Sequence, residues 1–160
     1  MPAKKNPKLL DMDNARHDDQ REYMQEIIEA GVCPFCLDQI KHKYNKEPVI
    51  KETKYWLLAK NHWPYVHTKL HLIAIYRKHA ENIDDLDPEA GQDLFELVQW
   101  VNKNYDLPGG AVTMRFGDSD YSASSVVHIH AHIIVPDIED PNYLDKPVRF
   151  KIGKTTKKTM

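Results

Sequence analysis

Residues 126–136, VVHIHAHIIVP, carry histidines at the alternate positions 128, 130 and 132 within an otherwise apolar run. No other segment constrains the fold as tightly. Side chains alternate faces along a strand, so the three imidazoles project from one side at spacings of ~7 Å. Val127, Ile129, Ala131 and Ile133 take the other side and can seat the strand in a core. A single strand histidine is ordinarily a hydrogen-bonded core residue. Three without partners would cost about 1–3 kcal/mol each, so strict alternation points to chemistry. Imidazoles can supply a nucleophile, an acid/base or a metal ligand.

The rest of the chain reads as one domain around that strand. Its 160 residues suffice for a single core. Residues 1–17 are polar, hold two prolines and show no apolar period, which predicts a flexible N-terminal arm. Residues 18–150 form the domain, and 151–160 are a lysine-rich flexible tail. A helix begins at Asp18, capped by Asp18 or Asp19. It carries the stripe Tyr23, Met24, Ile27, Ile28 and stops at Gly31. LDQIKHKYNKEP suits a turn region, and VIKETKYWLLAKN reads as a strand. KLHLIAIY is apolar on both faces, as a central strand would be. The clearest helix follows, with Asp87 as cap, Pro88 at the first helical position, and Leu94, Leu97, Val98 and Val101 at helical spacing. AVTMRF is a strand, GDSDYSASS a loop, and VVHIHAHIIV the last long strand. The pattern is α+β: a mostly antiparallel β-sheet with helices packed on one side.

A net charge of −2 gives no electrostatic reason to expect nucleic acid. No apolar run is long enough to span a bilayer or resembles a signal peptide, so the expectations are no membrane and a cytoplasmic location. Ser122, Ser124 and Ser125, just ahead of the histidines, offer hydroxyls and backbone N–H groups that can cradle an anion. Cys33 and Cys36 lie too close to staple a fold. Three readings stay open for them: zinc, with two further ligands from among nine histidines; thiol redox chemistry; or unligated thiols.

HIHAHII matches His-φ-His-φ-His-φ-φ, with φ apolar, at every position, and so strongly resembles the histidine triad superfamily. The resemblance runs from about residue 33 to 136 and includes NHWPYVHTKLHLIAIYRKHAENIDDLDPEA. It implies hydrolysis or transfer of a nucleotidyl group at an α-phosphate, with His130 as nucleophile and His132 on the phosphate side. Ser125 would contact the phosphate or leaving group. Asn61 would contact the ribose, and Ser124 and His71 are further nucleotide-binding candidates. The substrate class is a nucleoside phosphoramidate or a dinucleoside polyphosphate.

In the branch that includes galactose-1-phosphate uridylyltransferase, the matching positions Cys33, Cys36, His79 and His128 would hold a structural zinc. Members are typically homodimers, here built around the helix 88–105. The usual Asn-x-Gly and Gly-Gln are replaced by Gly117-Asp118-Ser119 and Ala123-Ser124, which leaves the leaving group open. A non-catalytic nucleotide-binding protein is the alternative function. A thiol oxidoreductase is more remote, since Cys-Pro-x-Cys resembles the glutaredoxin motif but lacks its βαβ setting. His62 and His67 read as solvated, Trp63 and Tyr65 as packing, and Trp100 as core or interface.

Overall fold

The computed structural model describes residues 9–42, 47–143 and 147–154. Five strands, β1 (Val49–Glu52), β2 (Trp56–Lys60), β3 (Thr68–Tyr76), β4 (Ala111–Met114) and β5 (His130–Pro136), form one sheet. Their order is β1-β2-β3-β5-β4 and every neighbouring pair is antiparallel. The α+β class is therefore as the sequence indicates, with β3 central. Helices α1 (Asp18–Ala30), α2 (Leu37–His42), α3 (Glu89–Tyr105) and α4 (Ser119–Ser122) complete the described elements, with two short 3-10 turns.

Alternation along the strands divides the sheet into two faces with different roles. Trp56, Leu58, Leu72, Ala74, Tyr76, Ile129, Ala131 and Ile133 pack with Ala90, Leu97 and Val101 of α3 in the main core. The Trp56 indole N–H donates to the Ala90 carbonyl at 2.9 Å, so the largest ring in this core keeps its polar atom satisfied. The opposite face is also covered: Leu57, Ile73 and Ile75 pack against Ile40 of α2, with Phe35 alongside. Register places Ile75 opposite His130 and Ile73 opposite His132, so the histidines emerge on this second face.

Helix α1 ends where expected. Gly31 adopts φ 68° and its N–H caps the carbonyls of Ile27 and Ile28. Its start differs from the expectation: the cap position is His17, without a side-chain bond, and Asp18 and Asp19 lie in the first turn instead. There they complement the positive end of the helix dipole. In α3 the cap position is Pro88, one residue later than expected, although the Asp87 carboxylate still accepts the Glu89 N–H at 3.1 Å.

Several other expectations need correction. Residues 49–61 are two strands joined by a tight turn rather than one. Asp93 of α3 holds that turn, accepting from the Thr53 hydroxyl (2.7 Å) and the Tyr55 N–H (2.9 Å). The region after Cys36 opens with α2 rather than a turn, while residues 43–46 lie outside the described residues. The serine loop contains α4, and β5 starts only at His130. Residues 9–17 are not a free arm: Leu10 bridges Val126, and the Val127 N–H donates to the Leu9 carbonyl at 3.0 Å. Leu10 is buried with Ala15, Met24 and Ile27, and that apolar cluster explains the docking. The start of the C-terminal tail is held as well, with the Lys154 N–H on the Asp120 carbonyl at 2.8 Å. The remainder of both proposed tails, 1–8 and 155–160, lies outside the described residues. Among the described residues, no helix is long and apolar enough to cross a membrane.

Candidate active site and metal centre

Cys33 follows the stop of α1, Cys36 directly precedes α2, His79 follows β3, and His128 stands just before β5. These four separated positions converge: one ligand atom from each lies within 4.8 Å of all the others. The outer hydrogen bonds settle which imidazole nitrogens face the cluster. His128 Nε2 is 2.6 Å from the Tyr76 carbonyl, which can only accept, so Nε2 carries the proton and Nδ1 presents a lone pair. That Nδ1 is 3.3 Å from Cys33 Sγ and 3.8 Å from Cys36 Sγ. His79 is oriented in the same way, with Nε2 on Glu81 Oε1 at 3.2 Å and Nδ1 at 3.4 Å from Cys36 Sγ. Two thiols and two imidazoles, each imidazole held by an outer acceptor, are the donor set of a closed tetrahedral zinc site. Burial pushes the Cys33 thiol up to about 12 and raises Cys36 too, the reverse of an activated redox thiol.

A second cluster lies on the sheet face beyond the first. His130 Nδ1 is 2.8 Å from the His128 carbonyl, so it donates there and leaves the Nε2 lone pair free. The backbone N–H of Tyr65 donates to His71 Nδ1 at 3.1 Å. The bond at Nδ1 places the His71 proton on Nε2, which is 2.8 Å from His132 Nδ1 and also 3.2 Å from the Asn61 amide nitrogen. His132 in turn carries its proton on Nε2, a buried atom with no hydrogen-bond partner among the described residues. The chain Tyr65–His71–His132 thus ends in an unsatisfied N–H donor. The His130 and His132 ring centres are 4.9 Å apart.

Burial lowers all of these imidazoles: His71 to about 3, His128 and His130 to about 4, and His132 well below its ordinary value. They are neutral at pH 7, the form in which imidazole is a nucleophile.

Asn61, Ser125, His130 and His132 line one cavity together with Phe35 and Met24. Ser124, expected to bind nucleotide, does not line it. Its hydroxyl donates to the Val126 carbonyl, and its own carbonyl accepts from the Asn14 amide at 3.0 Å. His71 does not line the cavity either, and its Nε2 contacts His132. Asn61 Oδ1 accepts from the Trp63 N–H at 3.0 Å. Trp63 packs as expected, its indole N–H on Asp19 at 2.9 Å and its ring against Tyr23. His62 and His67 are paired rather than merely solvated, with Glu47 and Asp140, both at 3.0 Å.

Sequence reasoning missed Arg16, Asp11 and the role of Tyr65. Tyr65 stacks on His132 with ring centres 5.7 Å apart. Buried Asp11 accepts from the Ser119 hydroxyl at 2.6 Å, and its N–H holds the Ser125 carbonyl at 2.9 Å. Asp11 and Arg16 belong to the stretch read as an arm, and no local pattern announces a pairing across more than a hundred residues.

His71 makes a prediction about acid stability. Its folded pKa lies below its unfolded value of 6.5, so the unfolded chain binds the extra proton between about 3 and 6.5. Stability is then fully present above pH 6.5 and falls by up to about 1.4 kcal/mol per pH unit on acidification through that window. His71→Gln should flatten this part of the slope in thermal melts at pH 7, 5.5 and 4.5. An unchanged slope would count against it.

The model of the HIT domain matches residues 42–138, well over half of the chain. The chain belongs to the HIT family. A hypothetical protein from Leishmania major is similar to this HIT protein in structure, with a TM-score of 0.57 and 24% identity, covering 82% of this chain and 86% of the other. A Zn-bound histidine triad family protein from Mycobacterium smegmatis has a TM-score of 0.51 and 19% identity, covering 73% and 81%. At those identities both show the fold alone. The diadenosine triphosphate hydrolase of Plasmodium falciparum has a TM-score of 0.50 and 25% identity, covering 60% and 65%. No curated protein matches. The HIT match begins at residue 42, so α1, Arg16, Cys33 and Cys36 all lie outside it.

Proposed function

We propose that this HIT protein is a nucleotide hydrolase or nucleotidyl transferase that cleaves at an α-phosphate through a nucleotidyl adduct on His130. Family membership supports nucleotide binding or hydrolysis at the coarser level. The P. falciparum relative, a diadenosine triphosphate hydrolase, points to the substrate class. One observation carries the finer reading. Nδ1 of His130 is committed to the His128 carbonyl, which leaves a neutral Nε2 lone pair on a residue lining the cavity, beside His132, whose Nε2 has no partner among the described residues.

In the first step Nε2 attacks the α-phosphorus. A P–N bond forms and the bond to the leaving group breaks, its electron pair departing with that group. The His132 Nε2–H donates to a phosphoryl oxygen and so gains in the transition state the partner it lacks at rest. Water then attacks phosphorus, the P–N bond breaks, its electron pair returns to Nε2, and the water proton passes to solvent. Ser125 and Asn61 line the same cavity and would contact phosphate and ribose. Cys33, Cys36, His79 and His128 would hold zinc as a structural ion, tying the segment before α2 to the start of β5.

The test is release of AMP from a panel holding diadenosine triphosphate and adenosine phosphoramidates. Cleavage of at least one member is expected. Binding of the panel without cleavage would establish the non-catalytic alternative. Sedimentation of the same preparations addresses the proposed homodimer, which would cover the exposed Phe95 of α3 and Val112 of edge strand β4. Twice the chain mass of 18.7 kDa is expected, and a monomer would reject it.

A further inference from the structure

Arg16 stands just before α1 and lines the cavity that holds His130 and His132. Its guanidinium lies 4.2 Å from the centre of the Tyr65 ring, and Nη2 donates to the Trp63 carbonyl at 2.5 Å. Tyr65 stacks on His132, so the sequence His130, His132, Tyr65, Arg16 runs outward from the nucleophile as successive neighbours. Arg115 approaches the same tyrosine from its other end, donating to the hydroxyl at 2.9 Å and to the Lys151 carbonyl at 2.7 Å. Neither arginine is ion-paired among the described residues. The carboxylate that lines the cavity, Glu47, is held by His62 instead. A guanidinium without a carboxylate, lining the cavity that holds the proposed nucleophile, is a donor suited to an anion.

The chemistry of departure points the same way. An amine leaving group must collect a proton. The proton His132 offers sits on a neutral imidazole, and giving it up would leave an imidazolate. A phosphate or polyphosphate leaving group departs as an anion, needing a cation rather than an acid. The amide side chains usual in the histidine triad motif are replaced here at Gly117-Asp118-Ser119 and Ala123-Ser124.

Building on the proposed nucleotidyl transfer at His130, we infer that Arg16 forms a subsite for the phosphates beyond the scissile bond. The preferred substrates are then nucleoside polyphosphates and dinucleoside polyphosphates rather than phosphoramidates. The subsite is supplied by a segment outside the HIT domain match.

Binding and turnover test it separately, on the full chain. Titration calorimetry compares AMP with α,β-methylene-ATP for wild type, Arg16→Gln and Arg16→Lys. Wild type should bind the triphosphate more tightly by about 10- to 100-fold, the range of a charge-assisted contact. Arg16→Gln should bring that ratio close to one, and Arg16→Lys should restore part of it. In turnover, Arg16→Gln should raise KM for diadenosine triphosphate more than KM for an adenosine phosphoramidate. An unchanged binding ratio in Arg16→Gln overturns the subsite. Equal weakening of AMP and the triphosphate also overturns it, since that is what a structural role through the Trp63 carbonyl would produce. A ratio that collapses in a protein cleaving neither substrate upholds the subsite and rejects the adduct mechanism.

Discussion

His130→Ala should lower AMP release by roughly 10³-fold or more while the chain stays folded. The size of the effect follows from position. The neighbouring His132 cannot take over, because it has Nδ1 engaged by His71 and a proton on Nε2. The structural cost is small by comparison. The variant loses the bond to the His128 carbonyl and the edge contact with Phe35, whose ring centre is 5.0 Å away. One neutral hydrogen bond contributes about 1 kcal/mol. Circular dichroism melts and AMP assays on the same sample separate the two effects. Full activity in a folded His130→Ala would remove His130 from the chemistry.

Loss of the metal centre should produce the largest change in stability. Wild type should carry one zinc per chain by elemental analysis, and Cys33→Ser should carry none. A site occupied at a thousand times its dissociation constant contributes about 4 kcal/mol, which corresponds to roughly 10 °C or more in Tm. The consequence reaches beyond the site itself. Cys33 and Cys36 link the end of α1 to His79 after β3 and His128 before β5. The same N-terminal segment carries Arg16 and holds Ser125 through the Asp11 N–H. Chelation should therefore weaken nucleotide binding along with stability. A metal-free wild type that melts with Cys33→Ser would show that the four residues are only hydrogen-bonded neighbours.

Much of the candidate site's layout was legible because it rests on short patterns. Three alternate histidines, a C-x-x-C pair and two amphipathic helices are local signals, and the four proposed metal ligands do come together. What escaped depends on distant partners. The turn at residues 53–55 contains neither glycine nor proline, and its geometry is set by Asp93, some 40 positions on. Leu9 to Asp11 pair with residues 125–127 through backbone groups that no composition reveals. Ser124 reads as an anion ligand by type, yet its hydroxyl is taken by a carbonyl two residues away. His128 reads as a strand residue, yet it precedes β5, where the Ile129 N–H is diverted to the Ala80 carbonyl. That departure from the ladder goes with its place beside Cys33, Cys36 and His79.

The most direct measurement is mass spectrometry of the protein quenched during turnover of diadenosine triphosphate, with peptide mapping across residues 126–136. An adenylyl adduct on His130, absent from His130→Ala, is the expected result. Turnover without any adduct, or an adduct on His128 or His132, would contradict the assignment of His130 as nucleophile.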